Sequence, residues 1–329
     1  MAKTTKAKTS QQEKIVEIKG LSKRYKLLGN KVIDAVVDLN LDIRRGETLA
    51  IVGPNGSGKT TTMKLLLGMI FPTAGEITIF GDTPGTINAQ SKIGYLPEAP
   101  YFYEFLNGRE LLSYYGKLCN VPEEVANIRI DELLKMVDLL DRGADMPIRT
   151  YSRGMRQRIG IASAMINDPE LLILDEPTNG LDPLGTVEVR EFILAEKKNG
   201  RSILLCSHML SEVEAVADRV AILYRGKLIA IGSVDKLVPG SNRWEITATN
   251  ITREGEATLR DIGLEIRTAG DSAIIKVSTS EDIYRVLAKL ESVGGQLIEV
   301  TRPKSTLEEQ FLLAVTNEQT TKTGKDTNG

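Results

Sequence analysis

The apolar run Thr48–Val52 (Thr-Leu-Ala-Ile-Val) leads directly into Gly-Pro-Asn-Gly-Ser-Gly-Lys-Thr at residues 53–60. No other stretch constrains the fold as tightly. The spacing is a complete G-x-x-x-x-G-K-[ST] phosphate loop, and its flanks fit. The run before it is long enough for a buried strand, and residues 60–68 read as a helix stopped by Gly68. Gly53, Gly56 and Gly58 let the backbone turn tightly and aim successive N–H groups into one concavity, which binds phosphate oxygens. The helix N-terminus adds the positive end of its dipole. In this motif Lys59 reaches the β- and γ-phosphates and the Thr60 hydroxyl binds Mg²⁺. Pro54, Asn55, Ser57 and Thr61 complete the surface offered to the nucleotide.

A second apolar run, at residues 171–176 (Leu-Leu-Ile-Leu-Asp-Glu), ends in two carboxylates. Open α/β sheets place their ligands at the C-terminal ends of strands. Asp175 is therefore expected to hold Mg²⁺, through water. Glu176 is expected to orient and deprotonate a water attacking the γ-phosphate. Either residue could instead cap the next helix. Pro177 turns the chain there. A phosphate loop requires such a partner, which favours the chemical reading.

Composition bounds the rest. The 329 residues leave room for about two domains. Apolar residues make up 41% of the chain and charged residues 26%. Those are the proportions of an ordinary globular protein. The net charge of −2 implies no bulk attraction to nucleic acid. No apolar run reaches the roughly 18–20 residues that span a bilayer, and the N-terminus is polar, unlike a signal peptide. Cys119 and Cys206 are far apart and match no metal or redox spacing, which fits a reducing compartment.

The chain divides into a polar tail expected to be disordered (residues 1–13), a nucleotide-binding domain (14–238), a linker (238–241), a second unit (242–316) and a second polar tail expected to be disordered (317–329). Within the first domain, about 98–165 reads as a helical insertion, with helix-like spacing over 108–118 and 128–140. The second unit alternates strand and helix: strand 244–249, helix 254–262, strands 264–268 and 273–278, helix 281–293 and strand 296–301. That β-α-β-β-α-β order is the split pattern of a ferredoxin-like fold. A further helix follows over 305–315.

Further motifs arrive in a specific order. Tyr-Ser-Arg-Gly-Met-Arg-Gln-Arg occupies 151–158, Asn-Gly-Leu-Asp-Pro occupies 179–183, and Ser207-His208 follows the apolar run 202–206. His208 is the chain's single histidine. Together these residues resemble the ATP-binding subunit of an ABC transporter, over roughly 15–238. The segments resemble its signature loop, D-loop and switch histidine.

The resemblance implies an α/β fold: an ABC-type P-loop NTPase domain with a helical subdomain. The small C-terminal α+β domain accompanies it. It implies ATP with Mg²⁺ and hydrolysis by Glu176 with His208. It also implies that Tyr25 stacks on adenine, the alternative being a half-buried strand residue. Two copies are expected to close as a homodimer, with Ser152 and Gly154 touching the γ-phosphate of the opposite subunit. The expected partner is a separate integral membrane permease, which places the chain at the cytoplasmic face of the cell membrane.

Two departures stand out. Arg153 and Met155 replace the usual signature Gly and Gln, and Glu98 stands where most members keep the Q-loop Gln. Glu98 can bind Mg²⁺ or its waters but cannot donate a hydrogen bond while ionised. Both departures also occur in the branch resembling ABC-2-type exporter ATPases, so export is the expected direction. The competing reading is a soluble ABC-type ATPase acting on ribosomes or DNA. One nucleotide domain in the chain, and no sustained heptads between phosphate loop and signature, argue against it.

Aromatic residues crowd the stretch after the Q-loop: Tyr95, Tyr101, Phe102, Tyr103, Phe105, Tyr114 and Tyr115. Aromatics favour interfaces, so 101–105 is expected to dock the membrane partner. The alternative is a place in the subdomain core. The C-terminal helix resembles a segment tied to subunit contact or regulation, and a structural cap is the equal alternative.

Overall fold

The computed structural model describes residues 13–26, 29, 31–238, 244–251, 259, 265–269, 272–277, 279–302 and 306–323. These fall into two compact units, one within Met1–Val234 and Leu313–Gly329, the other within Asp235–Leu312.

The first unit carries two sheets. β1 (Lys14–Lys26), β2 (Val32–Arg44) and β4 (Ala74–Ile79) form an antiparallel sheet in the order β2-β1-β4. The larger sheet runs β5-β6-β7-β3-β8-β9. It comprises β3 (Thr48–Val52), β5 (Ile93–Leu96), β6 (Leu171–Asp175), β7 (Ser202–Ser207), β8 (Arg219–Tyr224) and β9 (Lys227–Ser233). All its pairings are parallel except the last, β8 with β9. Every residue of β3, β6 and β7 is buried. That is why these segments read as unbroken apolar runs: a parallel strand covered on both faces has no solvent side to mark with polar residues.

Helix α1 (Lys59–Leu66) leaves the phosphate loop, and Met63, Leu65 and Leu66 join a core with Leu49, Ile51, Ile173 and Leu204. Gly68 follows it at φ 68°, a left-handed stop that glycine takes without strain. A short α2 (Ile87–Gln90) precedes β5. The helical insertion contains α3 (Gly108–Leu118), α4 (Glu123–Met136) and α5 (Arg153–Met165). α3 is closed by a capping box between Asn107 and Glu110. α4 lies earlier than the expected 128–140, because Pro122 and the acidic pair Glu123 and Glu124 supply its start. α5 is capped by the signature serine itself. The Ser152 Oγ accepts from the Met155 N–H at 3.2 Å. α6 (Pro183–Lys198) is capped by Asp182, with proline at the first position. α7 (Leu210–Val216) follows β7 and α8 (Val234–Leu237) follows β9.

The second unit holds β10 (Trp244–Thr249), β11 (Glu265–Ala269), β12 (Ser272–Val277), α9 (Ser280–Ser292) and β13 (Gln296–Thr301). Its sheet runs β11-β12-β10-β13, antiparallel throughout. That order is the one a split β-α-β-β-α-β chain produces. The helix expected over 254–262 lies outside the described residues, apart from buried Leu259. Ile246, Ala248 and Ile275 pack with Val286 and Leu290 of α9. The last helix, α10, covers Leu307–Thr323, well past the expected end at 315. Thr306 and Glu309 cap each other's N–H groups at its start, the hydroxyl accepting at 3.2 Å and the carboxylate at 3.3 Å. This is the reciprocal arrangement of a capping box. After it, no glycine or proline interrupts the chain before Gly324. No helix among the described residues is long and apolar enough to cross a membrane.

Ile275 is fully enclosed in the second unit's core. Ile275→Ala is expected to cost about 2–5 kcal/mol, read as faster hydrogen exchange at β10 and β12 amides. Unchanged exchange there would contradict this packing.

Candidate functional site

The strand order β6-β7-β3 brings three chain ends to one edge of the sheet. β3 ends in the phosphate loop, β6 in Asp175 and Glu176, and β7 in Ser207 and His208. Register holds them level, with Asp175 beside Cys206 and Val52 beside Ser207.

The loop needs its glycines. Gly58 caps α1 at φ 105°, and a Cβ there would stand 2.5 Å from the Ala35 carbonyl oxygen. Only glycine adopts such a backbone without strain. Lys59 Nζ donates to the Gly53 carbonyl at 2.6 Å, lies 3.5 Å from that of Pro54, and lies 3.9 Å from Glu176 Oε1. Both Lys59 and Glu176 are buried. Ser57 Oγ is buried and has no hydrogen-bond partner among the described residues. An orphaned buried hydroxyl in a phosphate loop is a group that a phosphate oxygen would satisfy.

Glu176 takes a left-handed backbone (φ 48°), and its N–H donates to the Cys206 carbonyl at 2.8 Å. Its Oε2 accepts from the His208 N–H at 3.2 Å and lies 2.7 Å from His208 Nδ1. The carboxylate therefore faces an ammonium on one side and an imidazole on the other, while the histidine side chain stays half exposed. Asp175 is buried behind it. Its pKa is pushed up to about 6 by burial, by Glu176 and by Glu98, with Lys59 and Lys64 pulling the other way. Burial and like charge both disfavour the ionised form. Among the described residues no three His, Cys, Asp or Glu side chains gather into a metal cage. The Thr60 hydroxyl and the Asp175 and Glu98 carboxylates are hard oxygen donors. That is the donor set Mg²⁺ takes when phosphate oxygens and waters complete its shell.

A cavity of about 580 Å³ collects most of these groups: residues 55–61, Tyr25, Glu98, Glu176, Asn179 and His208. Gly53 and Asp175 do not line it. Tyr25 is half buried on β1, with the Lys23 ammonium 5.1 Å from its ring centroid. Ser152 and Gly154 are elsewhere. They line a second cavity of about 820 Å³ together with Gly180, Asp182 and α6. They do not line the cavity that holds the phosphate loop of their own chain.

Sequence reasoning placed Asn179 in the D-loop and gave it no contact. In the structure its Nδ2 donates to Glu98 Oε1 at 3.0 Å, and its carbonyl accepts from Arg153 Nη2 at 2.8 Å. The signal for it lay in the two motif departures, at positions 98 and 153.

The ABC transporter family profile matches residues 36–179. An uncharacterized ABC transporter ATP-binding protein of Nostoc sp. is 39% identical over 292 residues, covering 88% of this chain and 86% of its own. The chain belongs to the ABC transporter ATP-binding protein family. A daunorubicin resistance ATP-binding protein of Streptomyces coeruleorubidus is 33% identical, with 90% of this chain and 94% of that one covered. Among solved structures, a dimeric ATP-binding cassette in a post-hydrolysis state bound to ADP and Pi matches with a TM-score of 0.60 and 26% identity. It covers 67% of this chain and 98% of that one. The fold is thus that of an ABC ATPase, and the chain is an ATP-binding, ATP-hydrolysing subunit of an ABC transporter. Cassettes of this family form dimers.

Because the Asp175 pKa is raised above its ordinary 3.8 to about 6, the folded state binds the proton more tightly than the unfolded chain. Stability from this group is therefore present below pH 3.8 and falls as pH rises through about 6. In nucleotide-free, Mg²⁺-free protein, Asp175→Asn is expected to raise the unfolding midpoint at about pH 7.5, with the gain fading by about pH 4. A midpoint lowered at the higher pH would contradict the burial argument.

Proposed function

We propose that two copies of this chain close head to tail around two ATP molecules and drive an exporter. The observation that carries this reading is the convergence of Lys59, Glu176 and His208 on the phosphate-loop cavity. Loop amides and Lys59 hold the β- and γ-phosphates, and Tyr25 stacks on the adenine. Thr60, Asp175 and Glu98 would hold Mg²⁺, and the chemistry it would supply when bound is neutralisation of the charge that develops on the phosphates. Glu176 takes the proton of a water whose oxygen attacks the γ-phosphorus while the bond to the β-phosphate oxygen breaks. His208 fixes that carboxylate from its second oxygen. Ser152 and Gly154 act on the opposite copy's nucleotide, in keeping with their separation from the loop of their own chain. Export is favoured by the Streptomyces relative, which is named for drug resistance.

The transmitting surface is aromatic, and burial divides the stretch that sequence treated as one. Phe102 is 4% exposed and belongs to the core, lying across from Gly160 of α5. Tyr101 is 87% exposed and Phe105 75%. Tyr103 sits between Phe105 and Tyr114, with ring centroids 5.9 and 5.3 Å away. The docking surface for a separate membrane permease is therefore Tyr101, Tyr103, Phe105 and Tyr114, without Phe102. The complex would stand at the cytoplasmic face of the cell membrane.

Tagged Glu176→Gln protein, purified with ATP from solubilised native membranes, is expected to retain a polytopic membrane protein. Adding Tyr101→Ser and Phe105→Ser should reduce that partner about tenfold or more, given that aromatic anchors dominate interfaces, without lowering the thermal midpoint. Phe102→Ser instead should cost about 3–5 kcal/mol of stability. Ribosomal or DNA-repair proteins in place of a membrane protein would contradict the transporter assignment. Partner retention unchanged by the double substitution would remove the aromatic surface from the dock.

A further inference from the structure

The D-loop is a wall between the two cavities. Asn179 lines the one that holds the phosphate loop, and Gly180 and Asp182 line the one that holds Ser152 and Gly154. Two side chains grip this wall from opposite faces. From the nucleotide side, Glu98 Oε1 accepts from Asn179 Nδ2 at 3.0 Å. From the signature side, Arg153 Nη2 donates to the Asn179 carbonyl at 2.8 Å. Gly180 makes room for that grip. It stands at φ 69°, and any Cβ there would collide with the Arg153 guanidinium. A second strap from the same helix lies beside it, with Gln157 Nε2 donating to the Pro177 carbonyl at 2.6 Å.

Both gripping residues are among those that depart from the familiar motifs, and a single residue joins them. A glycine at 153 has no side chain to reach the Asn179 carbonyl. A carboxylate at 98 can accept from Asn179 and still keep acceptor sites for the cavity. The Asn179 N–H also donates to the Glu176 carbonyl at 3.0 Å, which ties the same residue to the candidate base.

We propose that Arg153, Asn179 and Glu98 form one relay, in which Asn179 is a positioning residue for Glu98 and Arg153 ties that position to the signature loop. The proposal rests on the reading of the cavity as the ATP site. Its consequence is directional. Movement of a signature loop docking onto the opposite copy's nucleotide pulls on Asn179, and so shifts Glu98 in the same chain's own cavity.

A polarity swap tests it. Asn179→Asp removes the donor and sets two carboxylates against each other. In Glu98→Gln with Asn179→Asp the amide and the carboxylate change places, so the hydrogen bond returns and the cavity's charge stays that of the wild type. Asn179→Asp should lower kcat about tenfold with KM for ATP about unchanged, the size of an exposed charge-assisted hydrogen bond. The swapped pair should recover most of that loss. Arg153→Gly should lower kcat by about threefold in the wild type and by nothing further in Asn179→Asp, the non-additivity of one connected unit. In nucleotide-free protein, Arg153→Gly should also speed hydrogen exchange at the Asn179 and Leu181 amides.

If Asn179→Asp turns over like the wild type, or the swapped pair stays as slow as the single variant, Asn179 does not position Glu98. Additive losses from Arg153→Gly and Asn179→Asp, or unchanged exchange at 179 and 181, remove Arg153 from the relay. A wild-type chain that fails to hydrolyse Mg²⁺-ATP overturns the site assignment and the relay together. That outcome is distinct from failure of the relay alone.

Discussion

The parallel pairing of β6, β7 and β3 is the constraint on which the rest depends. Three buried strands run side by side, and each ends at the same edge with a different chemical group. The phosphate loop leaves β3, the carboxylates leave β6 and the histidine leaves β7. The register carries into the site itself: the Cys206 carbonyl at the end of β7 receives the Glu176 N–H just past the end of β6. A one-residue slip of a strand exchanges its faces, and here it would also carry Asp175 and Glu176 away from Lys59 and His208. Packing of apolar residues thus sets distances between polar ones.

That arrangement opposes stability locally. Lys59, Asp175 and Glu176 are all buried, and burial, with the Glu176 and Glu98 carboxylates adding to it, raises the Asp175 pKa to about 6. Glu176 adds a left-handed backbone, a conformation costing about 1–3 kcal/mol for a residue with a side chain. Such strain persists only where the surroundings over-determine it. Here the enclosing strands do so, together with the hydrogen bond that the Glu176 N–H donates to the Cys206 carbonyl and the one that its carboxylate accepts from the His208 N–H. Charge repulsion and backbone strain are concentrated where a divalent cation, arriving with a triphosphate, would relieve the repulsion.

Legibility in the sequence followed the range of each interaction. The phosphate loop and the Asp175–Glu176 strand end are contiguous, and their local backbone chemistry is written in consecutive glycines, apolar runs and carboxylates. In the second unit the strands and the helix at Ser280–Ser292 were likewise readable, the first strand from its alternation at Trp244–Thr249. Contacts between motifs were not. Nothing local to Asn179 says that its amide meets Glu98 or that its carbonyl meets Arg153. Neighbours in the aromatic stretch parted ways for the same reason: Phe102 enters the core and Tyr101 does not, and packing against α5 decides it. The end of α10 was misplaced because residues after 317 are polar but contain no helix breaker before Gly324.

The central claim is that this cavity hydrolyses ATP with Glu176 as the base. Its most direct test is steady-state phosphate release by the purified chain with Mg²⁺-ATP, wild type against Glu176→Gln. The account predicts Mg²⁺-dependent turnover in the wild type, lowered about 10²–10⁴-fold in the variant, the range for loss of a positioned general base, with ATP binding kept. Equal turnover in the two proteins would contradict it.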